Sequence, residues 1–347
     1  MQRAHSGGTR ARAFTIVELL SVFIIIGIVI GILLPVFQGV RQNARRVSSQ
    51  NLLSTLSNAT DRFIADARRA PGLFAPDEMG SNANLSQGLT NMGNVLLDLT
   101  GGITLRQAGT LSSCEDAGGV DVIGVGPRSG LLRNVAQSEL GRGSGTSGSA
   151  RTLYFSPDDG SLVRFCQQTQ KDSDSPANRA LPDLVDTFGN PVIAWVRDPR
   201  ATDADPFAAR VSDGGVARFY WAGNAPHLRA QSLGRSQQDQ TVLSMLRDSA
   251  AAGQTDQSLI ETLAGLLGNP AFPSNTRVNN RQVPALDRGS LVYHSAGADG
   301  VFLNRDDRGG RSAGAGTGTA SPQPLFYEPQ RDVTLDFDDI LTPSGQG

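Results

Sequence analysis

The residues of this chain able to do chemistry gather towards its two ends. Near the C-terminus, Tyr293-His294-Ser295-Ala296-Gly297-Ala298-Asp299-Gly300 is followed by Asn304, Asp306 and Asp307. Carboxylates and loop carbonyls are the hard oxygen ligands that Ca²⁺ takes, and glycine permits the tight turns that aim them. The spacing is not that of an EF-hand, which needs acids at alternate positions ending in a Glu. His294 with Ser290, Ser295 and Asp299 could be drawn as a hydrolytic group, but loose proximity of common residues does not specify one. The other histidines are His5 and His227, and the chain has no His-Glu-x-x-His, paired-cysteine metal spacing, Walker loop or Gly-x-Ser-x-Gly elbow. The expectation is a protein that is not an enzyme. At the other end the chemistry is one charge in an apolar place: Glu18 fronts a run, Leu19 to Val40, of 22 residues without a charged side chain. A carboxylate entering hydrocarbon costs several kcal/mol unless paired, so it implies a partner; the plainer reading is a Glu in the headgroup zone of a signal anchor.

These groups need elements to place them. The uncharged run is about 33 Å of helix, enough to cross a ~30 Å hydrocarbon core, and Pro35 should bend it or melt it locally. Before it lies a short leader with Arg3, Arg10, Arg12 and no acid; the small-residue Ala-Arg-Ala precedes the apolar run, whereas a secretory signal has its cleavage site after it. Charge does not orient the segment, since Arg41, Arg45 and Arg46 flank its far side as heavily. Apolar or small residues at Val40, Ala44, Val47, Leu53, Leu56, Thr60, Phe63, Ile64 and Ala67 continue at helical steps until Ala70-Pro71-Gly72, so one helix of ~80 Å is expected over 15–69.

Beyond it, 71–112 reads as loop with one short helix at 89–100. Strands are expected at 120–125, 151–155, 162–166, 192–196, 216–221 and 290–294, and helices at 238–251 and 257–267. Trp195 and Trp221 read as core residues on strands. Gly-rich stretches at 141–149 and 309–321 read as surface loops. A net charge of −2 with dispersed Arg does not mark a nucleic-acid binder. Cys114 and Cys166 both follow the apolar run; they either form one disulfide, if that part is exported, or stay as two buried thiols.

Ala13-Phe14-Thr15-Ile16-Val17-Glu18-Leu19-Leu20 resembles the class III signal of type IV pilins and type II secretion pseudopilins. The resemblance implies that a prepilin peptidase cuts between Ala13 and Phe14 and methylates Phe14, with Ala standing where Gly is usual. It implies that Glu18 pairs with the N-terminal amine of a neighbouring subunit, and that Pro35 stands where many of these proteins also have Pro. Asp186-Thr187-Phe188-Gly189-Asn190-Pro191 is similar to the Asp-x-Trp-Gly-Asn-Pro turn of the major pseudopilins, and 295–300 to their Ser-x-Gly-x-Asp-Gly loop. In that family the loop and a following Asp-Ile segment, here Asp338-Asp339-Ile340, bind a structural Ca²⁺. The implied ligands are Asp299 first, then Asp339, with Asp338, Asp306 and Asp307 competing for the remaining positions and Ser295 a further candidate; the plainer reading is a solvated acidic turn.

The expected fold is therefore α+β and pilin-like: a long N-terminal helix, transmembrane in its first half, packed on a small antiparallel sheet with long loops and inserted helices. The expected divisions are a leader at 1–13, an assembly half-helix at 14–40, an amphipathic half at 41–70 and a periplasmic head at 71–347. The implied function is a pseudopilus subunit for type II secretion in the inner membrane. Its implied partners are further pseudopilins, prepilin peptidase, the assembly platform and lipid, and no nucleic acid. A surface type IV pilin or minor pilin is the alternative within the family, and a signal-anchored periplasmic enzyme or binding protein the alternative outside it.

Overall fold

The computed structural model describes residues 16–142, 152–158, 160–166, 171–198, 200, 208–210, 218–229, 244–247, 256–278, 280–308 and 325–345. At 32–36, 208–210, 218, 256–257, 276, 278, 306 and 308 the backbone alone is described. The chain is mixed α and β, and divides into two compact units, Met1–Arg45 and Arg46–Gly347.

Helix α1 (Ile16–Ala67) is 52 residues long. It continues through Pro35, so the local melting expected there is not found. Among the described residues no helix is long and apolar enough to cross a membrane. In the second unit the helical period is decisive: Leu53, Leu56, Ala59 and Phe63 recur every three or four residues and are buried, while Arg62 and Asp66 lie exposed. Arg68, in the left-handed region at φ 56°, ends the helix, its N–H still reaching Ile64 O at 2.9 Å.

The short helix expected at 89–100 is α4 (Asn91–Thr100), and the stretch before it, expected as loop, contains two more: α2 (Pro76–Met79) and α3 (Asn82–Gln87). Ser81 and Thr90 cap α3 and α4, their hydroxyls accepting from Asn84 N and Gly93 N. A hairpin of β1 (Val122–Arg128) and β2 (Leu131–Ala136) follows. Phe155 and Tyr154 do not form the strand expected there; both backbone N–H groups donate to Leu99 O at 3.0 Å. Short β3 (Leu162–Val163) pairs with β4 (Asp183–Leu184) across α5 (Pro176–Ala180).

The central sheet is antiparallel, its strands β5 (Val192–Asp198), β6 (Ala208–Arg210), β7 (Arg218–Tyr220), β10 (Leu291–Ser295) and β11 (Ile340–Ser344) lying in the order β11-β10-β5-β7-β6. After β7 comes α6 (Ala225–Leu228), then α7 (Asp256–Leu267) and the hairpin β8 (Pro273–Val278) with β9 (Arg281–Pro284). Of the helix expected at 238–251 only 244–247 is described, as a turn in which Ser244 bridges to Asn304. The leader, with Ala13, and Phe14, most of the Gly-rich stretch at 141–149 and all of that at 309–321 lie outside the described residues.

Alternation assigns the faces of the sheet. Val192, Ala194, Val196, Leu291 and Tyr293 pack with the buried side of α1 and with Met92, Val95 and Leu99 of α4. Ile193, Trp195 and Val292 pack on the other face with Leu259, Leu263, Leu266 and Leu267 of α7. Trp221 belongs to that second cluster but lies just past the end of β7. Because both faces are covered, β10 is buried along its whole length. A third cluster, around Leu89, Ile123 and Val135, includes Cys114, which forms a disulfide with Cys166. Leu56→Ala empties a fully buried position against the sheet. It is expected to cost about 2–5 kcal/mol, read as a lowered urea midpoint.

Candidate metal centre

Antiparallel register brings three distant segments to one end of the sheet. Ser295, the last residue of β10, stands opposite Val192 on one side and Ile340 on the other. The turn before β5, the loop after β10 and the residues before β11 therefore meet.

The turn at 186–191 folds on its own acid: Asp186 Oδ1 accepts from the N–H groups of Phe188 and Asn190, both at 2.9 Å, and Gly189 takes φ 88°. Asn190 Nδ2 then donates to Gly297 O at 2.9 Å, tying turn to loop. In the loop, Gly297 sits at φ 68°, where a Cβ would come 2.5 Å from the Asp338 carbonyl oxygen. Asp338 Oδ2 accepts from Ala298 N at 2.7 Å and Asp299 N at 3.1 Å. The Asp338 N–H in turn donates to Asp307 Oδ2 at 3.2 Å.

The outcome is a group of three carboxylates, Asp299, Asp307 and Asp338, whose oxygens lie within 4.8 Å of one another. Burial pushes all three carboxyls up, and each is raised further by the charge of a neighbouring acid; Asp307 reaches about 6. Asp338 Oδ1 is buried and receives no hydrogen bond. Oxygens that share one ion at Ca²⁺ distances of about 2.3–2.6 Å lie no more than ~5 Å apart, so this donor set fits a hard cation. A cation there would supply charge neutralisation and close the orphaned oxygen, joining the loop at 298–307 to the start of β11.

Two members of the expected ligand set are placed elsewhere. Asp339 is buried: its Oδ1 lies 2.5 Å from His294 Nε2 and accepts from Leu303 N at 3.0 Å. Ser295 is also buried and donates to Asp186 Oδ2 at 2.6 Å. Asp339 and Ser295 therefore hold the loop rather than reach the carboxylate group, which consists of Asp299, Asp307 and Asp338. The Asp306 side chain lies outside the described residues. The hydrolytic grouping is not assembled either, since His294 is fully buried between Asp339, Trp195 Nε1 and the Phe302 ring. No family model, curated protein or solved structure matches this chain.

Glu18 lies in the first turn of α1, exposed. Sequence reasoning did not find the buried His294–Asp339 pair or the buried group of Lys171, Asp183 and His227.

The raised carboxyls set a pH dependence. A carboxyl whose folded pKa exceeds its unfolded value stabilises the fold below the unfolded pKa, and that stability is lost as pH rises through the folded one. In chelator the head is expected to lose stability between about pH 4 and pH 7, by an amount on the order of 1 kcal/mol after allowance for solvent screening of Asp307. Urea titrations at several pH values check this, and Asp307→Asn should flatten the slope.

Proposed function

We propose that this chain is a filament subunit of the type IV pilin-like kind, closest to the major pseudopilins of type II secretion. The observation that carries the reading is the two-part character of α1. Residues 53–63 bury their apolar side chains in the head, whereas at the other end Phe23 is 64% and Ile25 59% exposed, among a run of similar residues. A large uncovered apolar surface is an interaction site. In the proposal it is covered first by lipid and then by the helices of neighbouring subunits.

The proposed pathway begins with cleavage between Ala13 and Phe14 by a prepilin peptidase and methylation of Phe14. Glu18 then pairs with the new amine of the next subunit and fixes the stagger between helices. The uncharged run Leu19–Val40 is proposed to lie in the inner membrane before assembly, with the head on the periplasmic side. The Cys114–Cys166 disulfide supports an oxidising compartment for the head. Asp299, Asp307 and Asp338 are the residues proposed to hold a structural Ca²⁺, and this loop favours a secretion pseudopilin over a surface or minor pilin.

Overexpression with a prepilin peptidase and assembly platform, followed by electron microscopy of spheroplasts or sheared material, tests the reading. Filaments containing this chain are expected. A chain that is processed yet remains monomeric in the membrane under those conditions would overturn it.

A further inference from the structure

The chain contains one lysine, Lys171, against 30 arginines. That lysine is not at the surface, where a cation solvates easily, but fully buried. Its Nζ lies 2.7 Å from Asp183 Oδ2, on an aspartate that is also fully buried, and donates to Leu181 O at 3.1 Å. The other carboxylate oxygen, Asp183 Oδ1, accepts from the Thr90 hydroxyl at 3.2 Å and lies 3.6 Å from His227 Nε2. Thr90 and His227 are buried as well.

We propose that Lys171 and Asp183 are a modification site, at which Nζ and Cγ condense to an intramolecular amide. The reaction needs no co-reactant. The ammonium gives up two protons, Nζ attacks Cγ, and the Cγ–Oδ1 bond breaks as that oxygen leaves with both protons as water. Charge is conserved, because a cation and an anion become a neutral amide. His227 is placed to carry a proton to the departing oxygen, and the Thr90 hydroxyl stabilises charge on it.

Three physical factors favour the step. Holding amine and carboxyl in contact supplies effective concentrations that reach about 10⁵–10⁸ M in well-oriented systems. The pair is out of contact with solvent, so the released water is not replaced and hydrolysis is disfavoured. Two buried charges, each costly to desolvate, are removed. Burial pushes the Asp183 carboxyl up, but Lys171 and His227 outweigh it and hold it at about 2 in the unreacted pair. The reacting form is therefore the minor neutral pair, and condensation should follow folding slowly. Arginine could occupy the ion pair but could not form this bond, which gives the solitary lysine a chemical reason.

The proposal is independent of the filament reading, and a peptide map of the purified full chain decides it. After reduction and denaturation, trypsin cuts beyond Arg164, Arg179 and Arg197. Condensation yields peptide 165–179 joined to 180–197, lighter by one water and uncut at Lys171. Lys171→Arg should restore cleavage at that position and separate the two peptides at full mass. Wild-type protein that gives free 165–171, 172–179 and 180–197 at full mass would overturn the proposal, whatever the stability of the variant.

Discussion

Glu18→Ala should abolish filament assembly while leaving the melting of the head unchanged. In the proposed filament the carboxylate is surrounded by apolar side chains of neighbouring helices, so its energy depends on the amine it meets. Truncating one member of a desolvated charge pair costs about 2–5 kcal/mol, much of it from the charge left unpaired. At ~1.4 kcal/mol per factor of ten, the critical concentration for polymerisation would rise from about thirtyfold to a few thousandfold. The head should not register the change, because Glu18 lies in the Met1–Arg45 unit and the buried core begins beyond it. Filament yield from sheared cells and thermal melting of the purified chain read the two effects separately. Lost filaments with a lowered melting temperature would instead mean a folding defect. Glu18→Asp, which keeps the charge on a shorter arm, should recover part of the assembly.

Calcium is expected to raise the melting temperature of the head, and chelation to lower it. Ligand that binds only the folded state stabilises by about 2.7 kcal/mol when its free concentration is 100 times Kd. For a domain of this size each kcal/mol is roughly 2–4 °C, so a shift of about 5–10 °C is the expected scale. The shift should vanish in Asp299→Asn and Asp338→Asn, whose oxygens belong to the carboxylate group. Asp339→Asn should behave differently: it disturbs the buried contact with His294 and lowers stability with or without metal. Equal melting curves with calcium and with chelator would remove the site.

That contrast between Asp338 and Asp339 shows where sequence reading stops. Neighbouring residues in extended chain point to opposite sides. One aspartate of the pair therefore faces the loop at 298–299 while the other enters the core beside His294. The sequence carries two identical letters there, and only the register of β11 against β10 tells them apart. Helix α1 was legible because burial of Leu53, Leu56 and Phe63 imposes a period, and Pro71-Gly72 marks its end to within a few residues. Strands β5, β7 and β10 were legible to within a few residues because each is an apolar run between turn residues.

What stayed hidden depends on partners distant in sequence. β11, Ile-Leu-Thr-Pro-Ser, does not read as a strand, yet Ser57 Oγ donates to Pro343 O and Asp61 accepts from Ser344 Oγ, fixing it against α1. Helices α2 and α3 are too short for a period to declare them, and α3 rests on its Ser81 cap. The extended segment at 154–155 spends its N–H groups on Leu99 O, a use of backbone that composition does not encode. Of the site, the turn at 186–191 and the loop at 295–300 were visible as motifs. Their junction through Asn190 and Gly297 required the fold.

In the proposed subunit Ala13–Phe14 is the processing site, and the helix that starts at Phe14 is the assembly element. Mass spectrometry of the N-terminal peptide, on protein from membranes of cells carrying a prepilin peptidase, tests it most directly. The expected result is a chain beginning at N-methylated Phe14, and accumulation of the uncut form when the peptidase is inactive. A mature chain that keeps Met1, or begins beyond the apolar run, would contradict it.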